Sequence, residues 1–192
     1  MSHLNPLAVS ALAILIEGPM HPYEMYQLML ARKEDRVVKV SAGSLYRAVE
    51  RLERDGLIAE SATERMGNRP ERTVYTVTDA GRTAFDESLE EMLAHPVNEF
   101  PLFPVAIGEA HNLPVERAIE LLEIRLDAIR DEIAWFGTAL ARIAEKGKPK
   151  RVVLNVYYSR AMLIAEADWI AQTVEELRTG ELDWSATATP TT

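Results

Sequence analysis

SAGSLYRAVERLERD, residues 41–55, decides how the rest of the chain is read. Wound at 3.6 residues per turn, Leu45, Ala48, Val49 and Leu52 form one apolar stripe, and Ser44, Arg47, Arg51 and Arg54 gather on the flank facing away from it. Ser41 can cap the first orphan backbone N–H groups, and Asp55-Gly56 ends the helix where glycine can turn left-handed. A capped helix buried on one side and basic on the other has the proportions of an element that enters a DNA major groove. By itself the pattern more often marks an ordinary surface helix, so its neighbours decide.

Upstream, Asn5-Pro6 starts a short helix carrying Leu7, Leu12, Leu15 and Ile16, which Gly18-Pro19 stops. His21-Pro22 starts a second, running to about Lys33 and burying Met25, Leu28 and Met29, with Tyr23 and Tyr26 off that stripe near its start. The polar run Arg32 to Lys39 then leads into the opening stretch. This is the helix-turn-helix order with a somewhat long link. Downstream, Leu57 to Ser61 and Thr73 to Thr78 (TVYTVT, with Thr73, Tyr75 and Val77 on one face) read as two strands around the turn signals of Met66-Gly67-Asn68-Arg69-Pro70. A hairpin directly behind three helices reads as the wing of a winged helix, with Arg65, Arg69 and Arg72 near its tip; by position alone those arginines are also solvated loop charge.

From Thr78 as N-cap a helix runs to about Ala94, and His95-Pro96 breaks it. Asn98 to Pro104, NEFPLFP, marks the boundary between two domains, and Phe100, Leu102 and Phe103 are expected to pack on the second. There, Ile119, Leu122, Leu126, Ile129, Ile133, Phe136, Leu140 and Ile143 make a coiled-coil seam. After the breaker Gly147-Lys148-Pro149, Val153, Val156, Leu163, Ala167, Ile170, Val174 and Leu177 trace another, with Arg160 where an apolar residue was due. Two long helices on so short a link fold back antiparallel, and the pair has more apolar surface than it can bury on itself, so a second copy is expected to cover it. The fold class is thus mainly α with a small β-hairpin: an N-terminal winged helix-turn-helix over residues 1–95, a C-terminal antiparallel helical hairpin for dimerisation over 96–180, and a flexible tail over 181–192.

Composition narrows the class. Cysteine is absent from the 192 residues, which excludes disulfide frameworks, thiolate metal sites and cysteine nucleophiles. No apolar run is long enough to span a bilayer and the opening MSHLNPLA carries no export signal, so a cytoplasmic, non-membrane protein is expected. The net charge is −9, but it is unevenly spread: residues 32–82 hold 11 Lys/Arg against 9 Asp/Glu, whereas residues 96–192 hold 10 against 15. A local basic face attracts phosphate even on an anionic molecule.

Taken together, HPYEM in the second helix, SAGSLYRAVERLERDGLI in the third and GNRPERTVYTVTDAGR through the wing resemble the PadR family of bacterial transcriptional regulators. Ser41, Gly43, Leu45, Tyr46, Leu52, Glu53, Gly56, Leu57 and Ile58 fit its third helix; Gly67, Arg69, Pro70, Tyr75, Thr78 and Gly81 fit its wing, with Asn68 inserted. The likeness covers roughly Leu7 to Arg82. Two positions depart from it: Ala48 stands near a common leucine, and Pro22, where the family usually has glycine, removes a backbone N–H that could hold a phosphate.

The DNA reading assigns roles by chemistry. Arg47 and Arg51 would reach guanine edges, Ser41, Ser44 and Tyr46 would donate to phosphates, and Arg69 and Arg72 would follow the neighbouring groove or backbone. Tyr23, near the start of the second helix, joins this set; Tyr46 could instead pack on that helix, and the resemblance implies contact with DNA. A dimer built by the C-terminal helices would space two third helices about 34 Å apart and select an inverted repeat. The resemblance further implies a repressor released by a small molecule or another signal. Trp135, Phe136, Tyr157, Tyr158 and Trp169 are candidates for an effector pocket or, more simply, interface packing, and Arg160 would anchor an acidic ligand or pair with a carboxylate such as Glu166. His3, His21, His95 and His111 form no metal or catalytic motif and there is no phosphate loop, so no catalytic residue, metal or cofactor is expected. The competing expectation is a winged-helix protein-interaction module without DNA binding.

Overall fold

A computed structural model describes residues 4–64 and 72–184 of the chain, which divide into two compact units, 1–98 and 99–192. The first is built around α1 (Pro6–Glu17), whose Leu7, Ala8, Ala11, Leu12, Ile14 and Leu15 are all buried. A helix apolar on nearly every side must be surrounded, and α1 packs against α3 (Ala42–Arg54), α4 (Asp79–Ala94) and the strand β2 (Arg72–Val77). Its start is fixed by Asn5, whose side chain accepts from the Ala8 N–H at 2.9 Å, with Pro6 at the first helical position.

Helix α2 (Pro22–Ala31) buries Pro22, Met25 and Met29. It ends two residues before the expected Lys33, because Lys33 adopts a left-handed φ of 61° and a short 3-10 turn, Glu34–Arg36, follows. Glu17 at the end of α1 holds Arg32 at the end of α2 through two 2.6 Å hydrogen bonds. The strand β1 (Ile58–Glu64) pairs antiparallel with β2, longer at its far end than the sequence indicates. Between Glu60 and Ala62 the register shifts by a bulge. The extra residue, Ser61, lies on β1, so β2 keeps its alternation: Val77 is buried in the core around α1 and Tyr75 packs against the same core, as the sequence placed them, and Val74 is buried as well. Met20, between α1 and α2, adds a third rung by exchanging two backbone hydrogen bonds with Tyr75.

The second unit opens with α5 (Leu102–Gly108), inside what the sequence presents as a connector. Its i, i+4 pair Phe103 and Ile107 packs on the second core as expected for Phe103. Phe100 and Leu102, expected to pack with it, are instead 81% and 87% exposed: Leu102 opens α5 on a side away from Phe103, and Phe100 precedes the helix with a left-handed φ of 50°. The long helices α6 (Val115–Glu145) and α7 (Leu154–Thr179) are antiparallel: Arg178 bonds Glu123, Arg125 bonds Glu166, and Arg160 lies beside Gly137. Leu122, Leu126, Ile129, Ala167, Ile170, Val174 and Leu177 form their buried seam. Trp184 packs against this core and its indole N–H donates to the Leu113 carbonyl at 2.9 Å, so residues 181–184 are anchored rather than a free tail. Among the described residues no helix is long and apolar enough to cross a membrane.

Candidate nucleic-acid interface

The α3 helix is amphipathic as its sequence demands. Leu45, Ala48, Val49 and Leu52 are buried; Tyr46, Arg47, Glu50, Arg51 and Arg54 are exposed. Its start is locked by a reciprocal cap in which Ser41 Oγ accepts from the Ser44 N–H (3.1 Å) and Ser44 Oγ accepts from the Ser41 N–H (2.8 Å). The two hydroxyls also bond each other, and Ser44 Oγ donates to the Ser41 carbonyl. Both serines therefore serve the helix end, which sets the direction of α3.

Arg47 lies one turn further on, its guanidinium 3.4 Å from where a Cβ on Gly43 would sit. Arg51 points elsewhere. It lines a groove of about 960 Å³ with Leu4, Asp55, Glu87 and Glu91, between α1, α3 and α4. The outer ridge of α3 is thus Gly43, Arg47, Glu50 and Arg54, and Arg51 flanks it.

On the other flank a donor cluster assembles from three elements. Tyr46 on α3 meets His21, the N-cap of α2, edge to face with ring centroids 6.5 Å apart. Tyr23, in the first turn of α2, is 50% exposed, and Arg72 opens β2 on the surface. His21 Nδ1 accepts from the Tyr23 N–H at 3.0 Å. Burial holds the imidazole below the usual histidine range, the nearby Arg72 charge lowers it further, and Glu24 opposes them. Sequence reasoning missed His21 as part of this group, although an N-capping residue next to Pro22 is by necessity at a helix start. Arg69 lies outside the described residues.

Behind the ridge, the Tyr75 hydroxyl donates to Glu53 Oε2 at 3.1 Å and ties β2 to α3. Burial, and then the carboxylate of Glu53, push Tyr75 up to about 12, so it is a fixed donor. Thr78 completes the frame: its Oγ1 accepts from the Gly81 N–H and donates to the Gly56 carbonyl.

The residues singled out in the second unit fall into separate groups. Trp169 stacks edge-on with Phe103 (6.2 Å), over whose ring Arg125 sits at 3.8 Å while bonding Glu166. Tyr157 is twelve residues earlier on α7, about 18 Å along the axis, with Lys150 over its ring at 4.7 Å. Trp135 and Phe136 meet at 5.1 Å, and Phe136 is buried. Arg160 does not pair with Glu166, which Arg125 occupies; its Nε is buried without a hydrogen-bond partner.

Three helices, a hairpin packed behind them and an exposed third helix define a winged helix-turn-helix. Residues 11–87 match the model of the transcriptional regulator PadR-like family, the family that its motifs resemble. The fold extends through the second unit. The Bacillus subtilis PadR solved in complex with operator DNA is 15% identical, with 90% of this chain and 99% of that one covered at a TM-score of 0.77. The same protein with p-coumaric acid gives 14%, 90%, 98% and 0.73, and a PadR-like regulator from Bacillus cereus gives 17%, 91%, 99% and 0.62. No curated protein matches the chain.

Proposed function

We propose that the chain is a sequence-specific DNA-binding transcriptional regulator, a homodimeric repressor of an inverted repeat that an effector releases. The observation that carries this reading is the division of α3 into a buried stripe and an exposed ridge bearing Arg47, flanked by the donors of Tyr23, Tyr46 and Arg72. Arginine can bond a guanine edge bidentately, and tyrosine and arginine suit phosphates. Arg51 would reach the adjoining backbone from its flank. The family match and the operator complex of Bacillus subtilis PadR support the same use of the fold.

Dimerisation is supported by α7. Besides the seam that meets α6, it exposes Leu154, Tyr158, Met162 and Trp169 along its opposite side, an apolar stripe suited to a second copy. Effector release rests on Arg160, a buried donor lacking an acceptor, and on the p-coumaric acid complex of the Bacillus subtilis protein. The test is binding to DNA from immediately upstream of the protein's own gene at two salt concentrations. Wild type should bind with a steep salt dependence that the Arg47→Ala, Arg51→Ala double mutant loses; equal binding of random duplex by both proteins would reject the reading.

A further inference from the structure

We infer that His21 is a DNA-backbone contact that works as a neutral imidazole, using one ring nitrogen to hold the start of α2 and the other to donate to a phosphate. The inference rests on the DNA-binding reading above and assigns it a residue and a division of labour.

The start of α2 is short of free backbone donors. Helix N-termini hold phosphates through free backbone N–H groups. Here Pro22 has none and the Tyr23 N–H is taken by His21 Nδ1 at 3.0 Å, while the Met25 N–H already makes the first helical bond, to the His21 carbonyl at 3.0 Å. Two of the first donors are therefore lost to a phosphate. The same bond fixes the ring chemistry. A nitrogen that accepts a hydrogen bond carries no proton, so in the neutral ring the proton is on Nε2, which becomes a donor. His21 thus returns, at the far side of its ring, a donor of the kind that Pro22 removes.

Its surroundings suit an anion. Tyr46 packs on the ring edge to face, Arg72 is close enough to act on it electrostatically, and Tyr23 sits two residues on with its side chain exposed; among the described residues Glu24 is the carboxylate that acts on the ring. These groups come from α2, α3 and β2, the three elements that a winged helix lays along the duplex. Full protonation would place a second positive charge beside Arg72 and abolish the acceptor that caps α2. Both effects favour the neutral donor over the imidazolium.

Two substitutions separate the nitrogens. Asparagine places its oxygen near Nδ1 and has nothing at Nε2; glutamine places its amide nitrogen near Nε2 and caps poorly. His21→Asn should keep the wild-type melting temperature and lose roughly tenfold in affinity, equally on operator and random duplex, the scale of one hydrogen bond to a charged group. The salt slope should stay unchanged, because a neutral contact releases no counterion. His21→Gln should melt lower and keep most of the affinity. Wild-type affinity in His21→Asn would overturn the contact and leave His21 a cap only. A salt slope reduced by about one ion in His21→Asn would overturn the neutral state. If the wild-type protein binds no DNA at all, the DNA-binding reading itself fails, and this inference with it.

Discussion

Gly81→Ala tests the frame that aims the third helix, because two effects of known size oppose each other there. Alanine in place of glycine favours a helix by about 1 kcal/mol. Against that, a Cβ on Gly81 would lie 1.9 Å from the Leu57 carbonyl oxygen, and 2.9 Å from both the Leu57 carbonyl carbon and Val77 Cγ2. The oxygen would have to retreat by about 1.5 Å to reach ordinary contact. It is not free to do so, since it accepts the Thr78 N–H at 3.0 Å at the join of β2 and α4, and the Leu57 N–H is itself bonded to the Leu52 carbonyl at the end of α3. Overpacking of this kind costs about 1–3 kcal/mol and the displaced backbone hydrogen bond about 1 kcal/mol more. The clash wins, and we expect a net loss of about 2 kcal/mol, a fall of roughly 10 °C in the melting of a unit of this size. Scanning calorimetry of the full chain reads it. Gly43→Ala is the control, because its Cβ would meet only the mobile end of Arg47 at 3.4 Å, and it should melt at or above the wild-type temperature. A Gly81→Ala protein melting within about 2 °C of wild type would refute the reasoning.

Three further outcomes follow from the geometry. Tyr75→Phe should cost about 1 kcal/mol for its bond to Glu53; because the folded value is raised to about 12, the stabilisation from the neutral hydroxyl should be complete below pH 10 and lost as pH rises towards 12, as alkaline unfolding of wild type and mutant will show. His21 has the opposite sign: its folded value lies below 6.5, so its contribution is present above pH 6.5 and lost as pH falls through the depressed value, and acid denaturation of His21→Asn should lack that step. Arg160→Met removes a buried donor without an acceptor, whose burial costs about 1–3 kcal/mol, and should leave the second unit at least as stable, read by tryptophan fluorescence in urea; a clear loss of stability would contradict it.

Much of this architecture was legible because periodicity and caps are local. Asn5, Ser41 and Thr78 cap the helices they were expected to cap, and the heptad spacing from Ile119 to Phe136 became the buried seam of α6. What stayed hidden depends on contacts distant in sequence. The extra residue Ser61 is set by the pairing of β1 with β2, so the length and bulge of β1 could not be read from β1 alone. The apolar Phe100 and Leu102 looked like core, yet only the rotation of α5 decides that Phe103 and Ile107 take the inside. Arg47 and Arg51 share one flank on a helical projection, but the approach of α4 gives Arg51 the acidic company of Glu87 and Glu91. His21 looked like a helix start and no more, because nothing local shows that Tyr46 and Arg72 will converge on it.

In the proposed reading Arg47 contacts bases while the flanking donors hold the backbone, and the specificity ratio measures this division directly. Titrate wild type, Arg47→Ala and Arg72→Ala against the upstream operator fragment and a random duplex of equal length at one fixed salt concentration. Arg47→Ala should lower the preference for operator by about tenfold or more, the discrimination of one bidentate pair, whereas Arg72→Ala should weaken both duplexes by the same factor. An Arg47→Ala protein that loses affinity equally on operator and random DNA would contradict the account.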